Sequence, residues 1–155
     1  MPKLKTIEET YDFCLAQGNL QNLEEINVEK ISSLLKNANT NLSSAQILTK
    51  SLNKDSLEWF NVFTLSYEAF RIYAEALLLF KKMSSSNHLC VFSALCLKYP
   101  ELELDWYFLE RIRTKRHGLN YYGESISYQD WKSVELQLEL YLSLLKKEIE
   151  QRLTS

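Results

Sequence analysis

Three glycines and two prolines are all that 155 residues supply for sharp turns. A sandwich or barrel of short strands needs turn residues at roughly 8–12-residue intervals, so the composition argues against an all-β fold and points to helices. A length of 155 residues suits one domain. With 46% hydrophobic and 25% charged residues, the composition is that of a globular chain rather than a disordered one. The net charge of −2 provides no global attraction to nucleic acid or to an anionic membrane, so any such binding must come from a local patch.

The longest strongly apolar stretch, Ala74 to Phe80, is broken by Glu75 and followed by Lys81 and Lys82. It falls far short of the ~20 residues of a membrane span. Met1-Pro2-Lys3-Leu4-Lys5 runs into Glu8 and Glu9, with no apolar signal-peptide core. Cys14, Cys90 and Cys96 are odd in number and lack a CxxC pair. They read as three small buried hydrophobes in a reducing cytoplasm, with neither a disulfide nor a structural zinc site expected.

Periodicity then divides the chain. Thr6-Ile7-Glu8-Glu9 has capping-box form and predicts a short helix ending near Gly18. Residues 19–26 read as a linker, so residues 1–26 form an N-terminal short helix plus linker and residues 27–155 a bundle. From Asn27, the residues Val28, Ile31, Leu35, Ala38, Leu42, Ala45, Leu48 and Leu52 step by three and four, which predicts an amphipathic helix over 28–52. Asp55-Ser56-Leu57-Glu58 predicts the start of a helix over 55–83. Its Trp59, Phe60, Phe63, Tyr67, Phe70, Tyr73, Ala74, Leu77, Leu78 and Phe80 cover most of the circumference, the mark of a central element. A short helix over 87–98 carries Leu89, Phe92, Leu95 and Cys96 on one side and stops before Pro100. Another spans 101–118, its end blurred by Gly118 and Gly123. The last, 127–153, is capped by Ser127 and steps through Trp131, Val134, Leu138, Tyr141, Leu145, Ile149 and Leu153. The expected fold is all-α: an up-and-down bundle of four to five helices with a short N-terminal helix. Trp59, Trp106 and Trp131 fall on apolar faces, as core or dimer-interface residues.

One segment goes beyond what any bundle requires. Residues 111–123 read Arg-Ile-Arg-Thr-Lys-Arg-His-Gly-Leu-Asn-Tyr-Tyr-Gly. Helical spacing puts Arg113, Arg116 and His117 on one face, with Asn120 one turn beyond Arg116. A guanidinium fork takes phosphate in two-point fashion, and Tyr121 can stack on a base. The physical content is a small phosphate site with room for a nucleobase. The opposing reading, a solvated basic turn near a helix C-terminus, stands level with it.

Taken in order, these features resemble the HEPN superfamily (higher eukaryotes and prokaryotes nucleotide-binding domain). The resemblance runs from Asn27 to Leu153. It includes Asn27-Val28-Glu29-Lys30-Ile31, Tyr67-Glu68-Ala69-Phe70, Ala74 to Leu78, Ser85-Ser86-Asn87-His88, Arg111 to Gly123 and Ile126 to Asp130. It implies a helical bundle that binds RNA or nucleotide through a basic motif before its last long helix, in a toxin–antitoxin or nucleotidyltransferase-partner setting, commonly as a homodimer. Catalytically active members resemble metal-independent endoribonucleases that use an Arg and a His together. Two alignments compete. In one, Arg111 and His117 are the catalytic pair. In the other, Arg116-His117 fills the Arg-Asn positions, and Asn120 or Tyr121 stands where the catalytic His belongs. Asn cannot transfer protons and tyrosine is a poor base at neutral pH, so the second implies weak or lost RNase activity. The Tyr121-Tyr122-Gly123 ending favours it.

Three further residues are candidates for support. His88 opens a helix and can serve the site or merely the fold. Glu68 and Glu75 lie on one face of the central helix, where they either orient Arg113 or Arg116 or line a solvated strip. No Gly-rich phosphate loop, HExxH or paired-carboxylate signature is present, and neither metal nor other cofactor is expected. The competing function is a non-catalytic helical homodimer or adaptor.

Overall fold

The computed structural model describes residues 5–155, the side chain of Asn120 excepted, and the reading of residues 1–4 as free of a signal-peptide core lies outside the described residues. The fold is all-α. In chain order the elements are α1 (Ile7–Ala16), β1 (Gln21–Asn22), α2 (Val28–Ser51), α3 (Trp59–Phe80), β2 (Met83–Ser84), α4 (His88–Lys98), a 3₁₀ turn (Pro100–Leu102), α5 (Trp106–Tyr121) and α6 (Tyr128–Leu153). Among the described residues no helix is long and apolar enough to cross a membrane.

Caps set most of the starts. Thr6 and Glu9 exchange both capping-box bonds, Asn27 accepts from the Lys30 amide, Asn87 from that of Cys90, and Ser127 and Asp130 close a second box. Two starts come later than expected. Around Asp55 the chain makes a tight turn in which Asn53 and Ser56 bond each other, and α3 begins only at Trp59, whose indole N–H donates to the Asn53 carbonyl at 2.8 Å. After Pro100 a single 3₁₀ turn ends on Glu103 in the left-handed region (φ 51°), and Asp105 then caps α5 through the amides of Tyr107 and Phe108.

α3 is the central element. Thirteen of its 22 residues are buried, with α2, α4 and α6 packed around it. α2 turns Ile31, Ala38 and Ala45 inward, one per heptad, and the two alanines allow close approach. Trp59, Trp106 and Trp131 are all core residues. α4 is buried more completely than its sequence suggested: every residue from Cys90 to Cys96 is inside, because α3, α5 and α1 all contact it. The segment read as a linker carries β1, which pairs antiparallel with β2, Gln21 opposite Ser84 and Asn22 opposite Met83.

The cysteine reading requires correction. Cys14 on α1 and Cys90 on α4 form a disulfide, with Cα atoms 5.7 Å apart across a sequence separation of 76, and only Cys96 is a free thiol, buried. The two sulfurs meet because α1 folds onto α4, a tertiary event that cysteine spacing along the chain does not encode.

Candidate functional site

The basic segment forms the last three turns of α5. Gly118 does not end the helix, which continues to Tyr121 before Gly123 takes a positive φ of 63°. Because the helix is unbroken, Arg113, Arg116, His117 and Tyr121 share one wall of a cleft of about 350 Å³. The other wall is Asn87, His88 and Leu89 at the start of α4, and Tyr67 of α3 completes the lining.

The cations are held from different directions. Arg113 makes two hydrogen bonds to Glu110, from Nε at 3.0 Å and from a terminal nitrogen at 2.9 Å. The Glu110 bond, and beyond it the carboxylate's charge, hold the guanidinium's pKa even above its usual value. On α3, Arg71 is clamped between Glu68 and Glu75 at 2.7 and 2.6 Å. The two glutamates thus take Arg71 of their own helix as partner, at i+3 and i−4, while Arg113 is bonded to Glu110.

His88 is half-buried, and its Nδ1 lies 3.0 Å from the Tyr67 hydroxyl. Burial first, and then the positive charge of Arg71, push the His88 pKa below its ordinary value; Arg116 and Arg113 add to this and Glu68 opposes it. Burial also raises the Tyr67 phenol above its usual range. A protonated phenol and a neutral imidazole share this hydrogen bond, and the imidazole tautomer decides which of the two donates. His117 is exposed and packs its ring against Tyr121, with centroids 4.5 Å apart, and edge-on against Tyr122 at 5.7 Å. Tyr121 and Tyr122 are 71% and 72% exposed, so ring surface not covered by His117 is open for stacking.

His88 and Leu89 are also the first two residues of α4. The amides of a first helical turn have no intrahelical acceptor, and the helix dipole there favours an anion. The cleft therefore joins two guanidinium side chains, a helix start, a half-buried imidazole and exposed rings. That set can hold a phosphate and stack a base.

Arg111 is placed elsewhere. Its guanidinium donates to the Ser133 carbonyl of α6 at 2.9 Å and sits over the Phe108 ring, so the structure does not bring it to the cleft that His117 lines. Asn120 belongs to α5, and its side chain lies outside the described residues. Sequence reasoning missed Tyr67, Asn87, Arg71 and Glu110. The i, i+3 and i, i+4 Glu–Arg spacings were a usable signal for the last two; the cleft contacts of Tyr67 and Asn87 exist only once α3, α4 and α5 have packed.

No protein-family model, no curated protein and no solved structure matches the chain.

Proposed function

We propose that the cleft between α4 and α5 binds a phosphate and base of RNA or of a free nucleotide, and that the chain is a HEPN-like binding module with weak or absent metal-independent RNase activity. One observation carries this: Arg113, Arg116, His117 and Tyr121 of α5 and His88 of α4, on two successive helices, converge on one cleft. A solvated basic turn requires no such convergence. Cleavage of RNA needs a base, a proton donor and a cation at the developing charge. The cleft offers Arg113 and Arg116 as cations and His117 for proton transfer, while His88 is hydrogen-bonded to Tyr67 and Arg111 faces α6.

The test is fluorescence anisotropy with a labelled single-stranded RNA, beside a cleavage assay in EDTA. Arg116→Ala should lose binding with the melting temperature nearly unchanged. Robust cleavage abolished by His117→Ala would make the protein an RNase and overturn the weaker reading.

The alternative, a helical homodimer or adaptor without chemistry, has its own observation. Leu136 and Leu140, one turn apart on α6, are 82% and 56% exposed, and Tyr107 on the adjoining α5 is 63% exposed. A second copy covering them fits the homodimer expected from the resemblance; light scattering should then give twice the chain mass. A nucleotidyltransferase partner and a toxin–antitoxin role remain part of the HEPN-like proposal and rest on the resemblance alone. Action in the cytoplasm is proposed with them. There the bonded fraction of Cys14 and Cys90 follows the compartment's thiol poise, and alkylating thiols in intact cells before lysis measures it.

A further inference from the structure

The cleft and the disulfide share one turn of helix. Asn87 lines the cleft and, as the α4 cap, accepts from the amide of Cys90. His88 and Leu89 line the cleft in the two positions between that cap and the bonded cysteine. Cys90 is in turn tied to Cys14 near the C-terminal end of α1. α1 is a helix of ten residues whose main helical neighbour is α4. A helix that short is marginal on its own, so the bond to Cys90 and the packing on α4 keep it in place. Conversely, α1 covers the side of α4 that carries Cys90, and both bonded cysteines are buried, at 0% and 1% exposure.

Resting on the phosphate-site reading above, we infer that the Cys14–Cys90 disulfide regulates that site: the bonded form holds the first turn of α4 in the binding geometry, and the dithiol form loosens it. The chemistry is thiol–disulfide exchange with a dithiol reductant. One thiolate of the reductant attacks a sulfur of the pair and displaces the other as thiolate, which takes up a proton. The second reductant thiol then closes a ring and releases the remaining cysteine. The protein gains two electrons and two protons, and the reductant leaves as a cyclic disulfide. Burial of both sulfurs makes α1 opening the step that admits the reductant.

What changes at the cleft is the share of molecules with Asn87, His88 and Leu89 correctly placed. Apparent affinity falls in proportion to that share. If about one reduced molecule in ten keeps the turn in place, RNA binds about tenfold more weakly. Arg113, Arg116 and His117 stand on α5 and are untouched by the exchange, so binding weakens rather than vanishes.

The experiment uses the full chain in two forms, oxidised and dithiothreitol-reduced, verified by alkylation in denaturant. The oxidised form should give one free thiol and the reduced form three. Each is measured for binding of a labelled single-stranded oligouridylate, for amide hydrogen exchange across residues 85–92, and for helical circular dichroism. The expected result is unchanged helicity, faster exchange across 85–92 and about tenfold weaker binding on reduction. Cys14→Ala without reductant should match the reduced form in all three. Equal affinity in both forms would overturn the inference while leaving the phosphate site standing. Absence of binding by the oxidised protein would remove the site itself, and with it the inference. Collapse of helicity on reduction would make the bond architectural and would equally overturn a regulatory role.

Discussion

The Tyr67–His88 pair is where one residue's chemistry depends most on its surroundings. An unfolded His88 takes up a proton near its ordinary 6.5, whereas the folded one, desolvated and facing Arg71, Arg113 and Arg116 with only Glu68 opposing, does so at a lower pH. Between those two values the unfolded state binds more protons, so stability is lost as pH falls below 6.5. Melting temperatures between pH 7.5 and pH 5, compared for wild type and His88→Gln as about half-unit steps, should show the steeper acid loss in wild type. Equal slopes would mean that His88 titrates as if exposed. Removing the hydroxyl in Tyr67→Phe leaves Nδ1 without its hydrogen-bond partner and should cost about 1 kcal/mol, read as a lower midpoint in urea. At this scale the sequence was partly legible. The α5 spacing put Arg113, Arg116 and His117 on one face, and that face lines the cleft. Tyr67 looked like one more aromatic of a buried helix, because its hydroxyl has a role only where α4 brings His88 within 3.0 Å.

Among the elements, α4 combines the most roles in only 11 residues. Its cap is also cleft lining, so Asn87→Ala should have two separable effects. Loss of the cap should cost about 1 kcal/mol in thermal or urea unfolding, and RNA affinity should fall through the displaced first turn; Asn87→Ser, which restores a cap, should recover the stability. Helix starts were legible where a single cap was followed directly by apolar periodicity, at Thr6, Asn27 and Ser127, whereas Ser84 to Asn87 offered several caps and the fold uses Asn87. They were misread where the capping pattern was used otherwise. Asp55-Ser56-Leu57-Glu58 has the letters of a capping box, yet Asn53 takes Ser56 into a turn and leaves Leu57 83% exposed. Nor did sequence show that α5 would wait for Asp105, since a 3₁₀ turn and a left-handed Glu103 fill the gap that a continuous helix from residue 101 was expected to fill. Local hydrogen-bond competition of this kind is decided by which turn packs better.

For the molecule as a whole, the crosslink dominates the unfolded state. Chain-entropy reasoning for a loop closed across 76 residues assigns it about 4 kcal/mol. Reduction, or Cys14→Ala, should therefore lower the melting temperature by about 10 °C for a chain of this size while leaving it folded at 25 °C. A calorimetric shift under about 2 °C would mean that the reduced chain retains the α1–α4 contact without the bond. The all-α architecture was legible because scarcity of turn residues and heptad-like stepping act along the chain. The disulfide was not, because a distance between two helices is a property of the finished packing.

That same separation sets a timetable for synthesis. Cys14 leaves the ribosome 76 residues ahead of Cys90, and at about 5–20 residues per second the earlier thiol waits about 4–15 s for its partner. During that interval α1, at ten residues, has neither bond nor α4 to pack on, and is too short to stay helical alone. Cys90 emerges six residues before Cys96, so the correct partner is the first one offered to the waiting thiol. The order of the cysteines along the chain thus gives the native pair a head start over the wrong one, before any folded structure exists to choose between them.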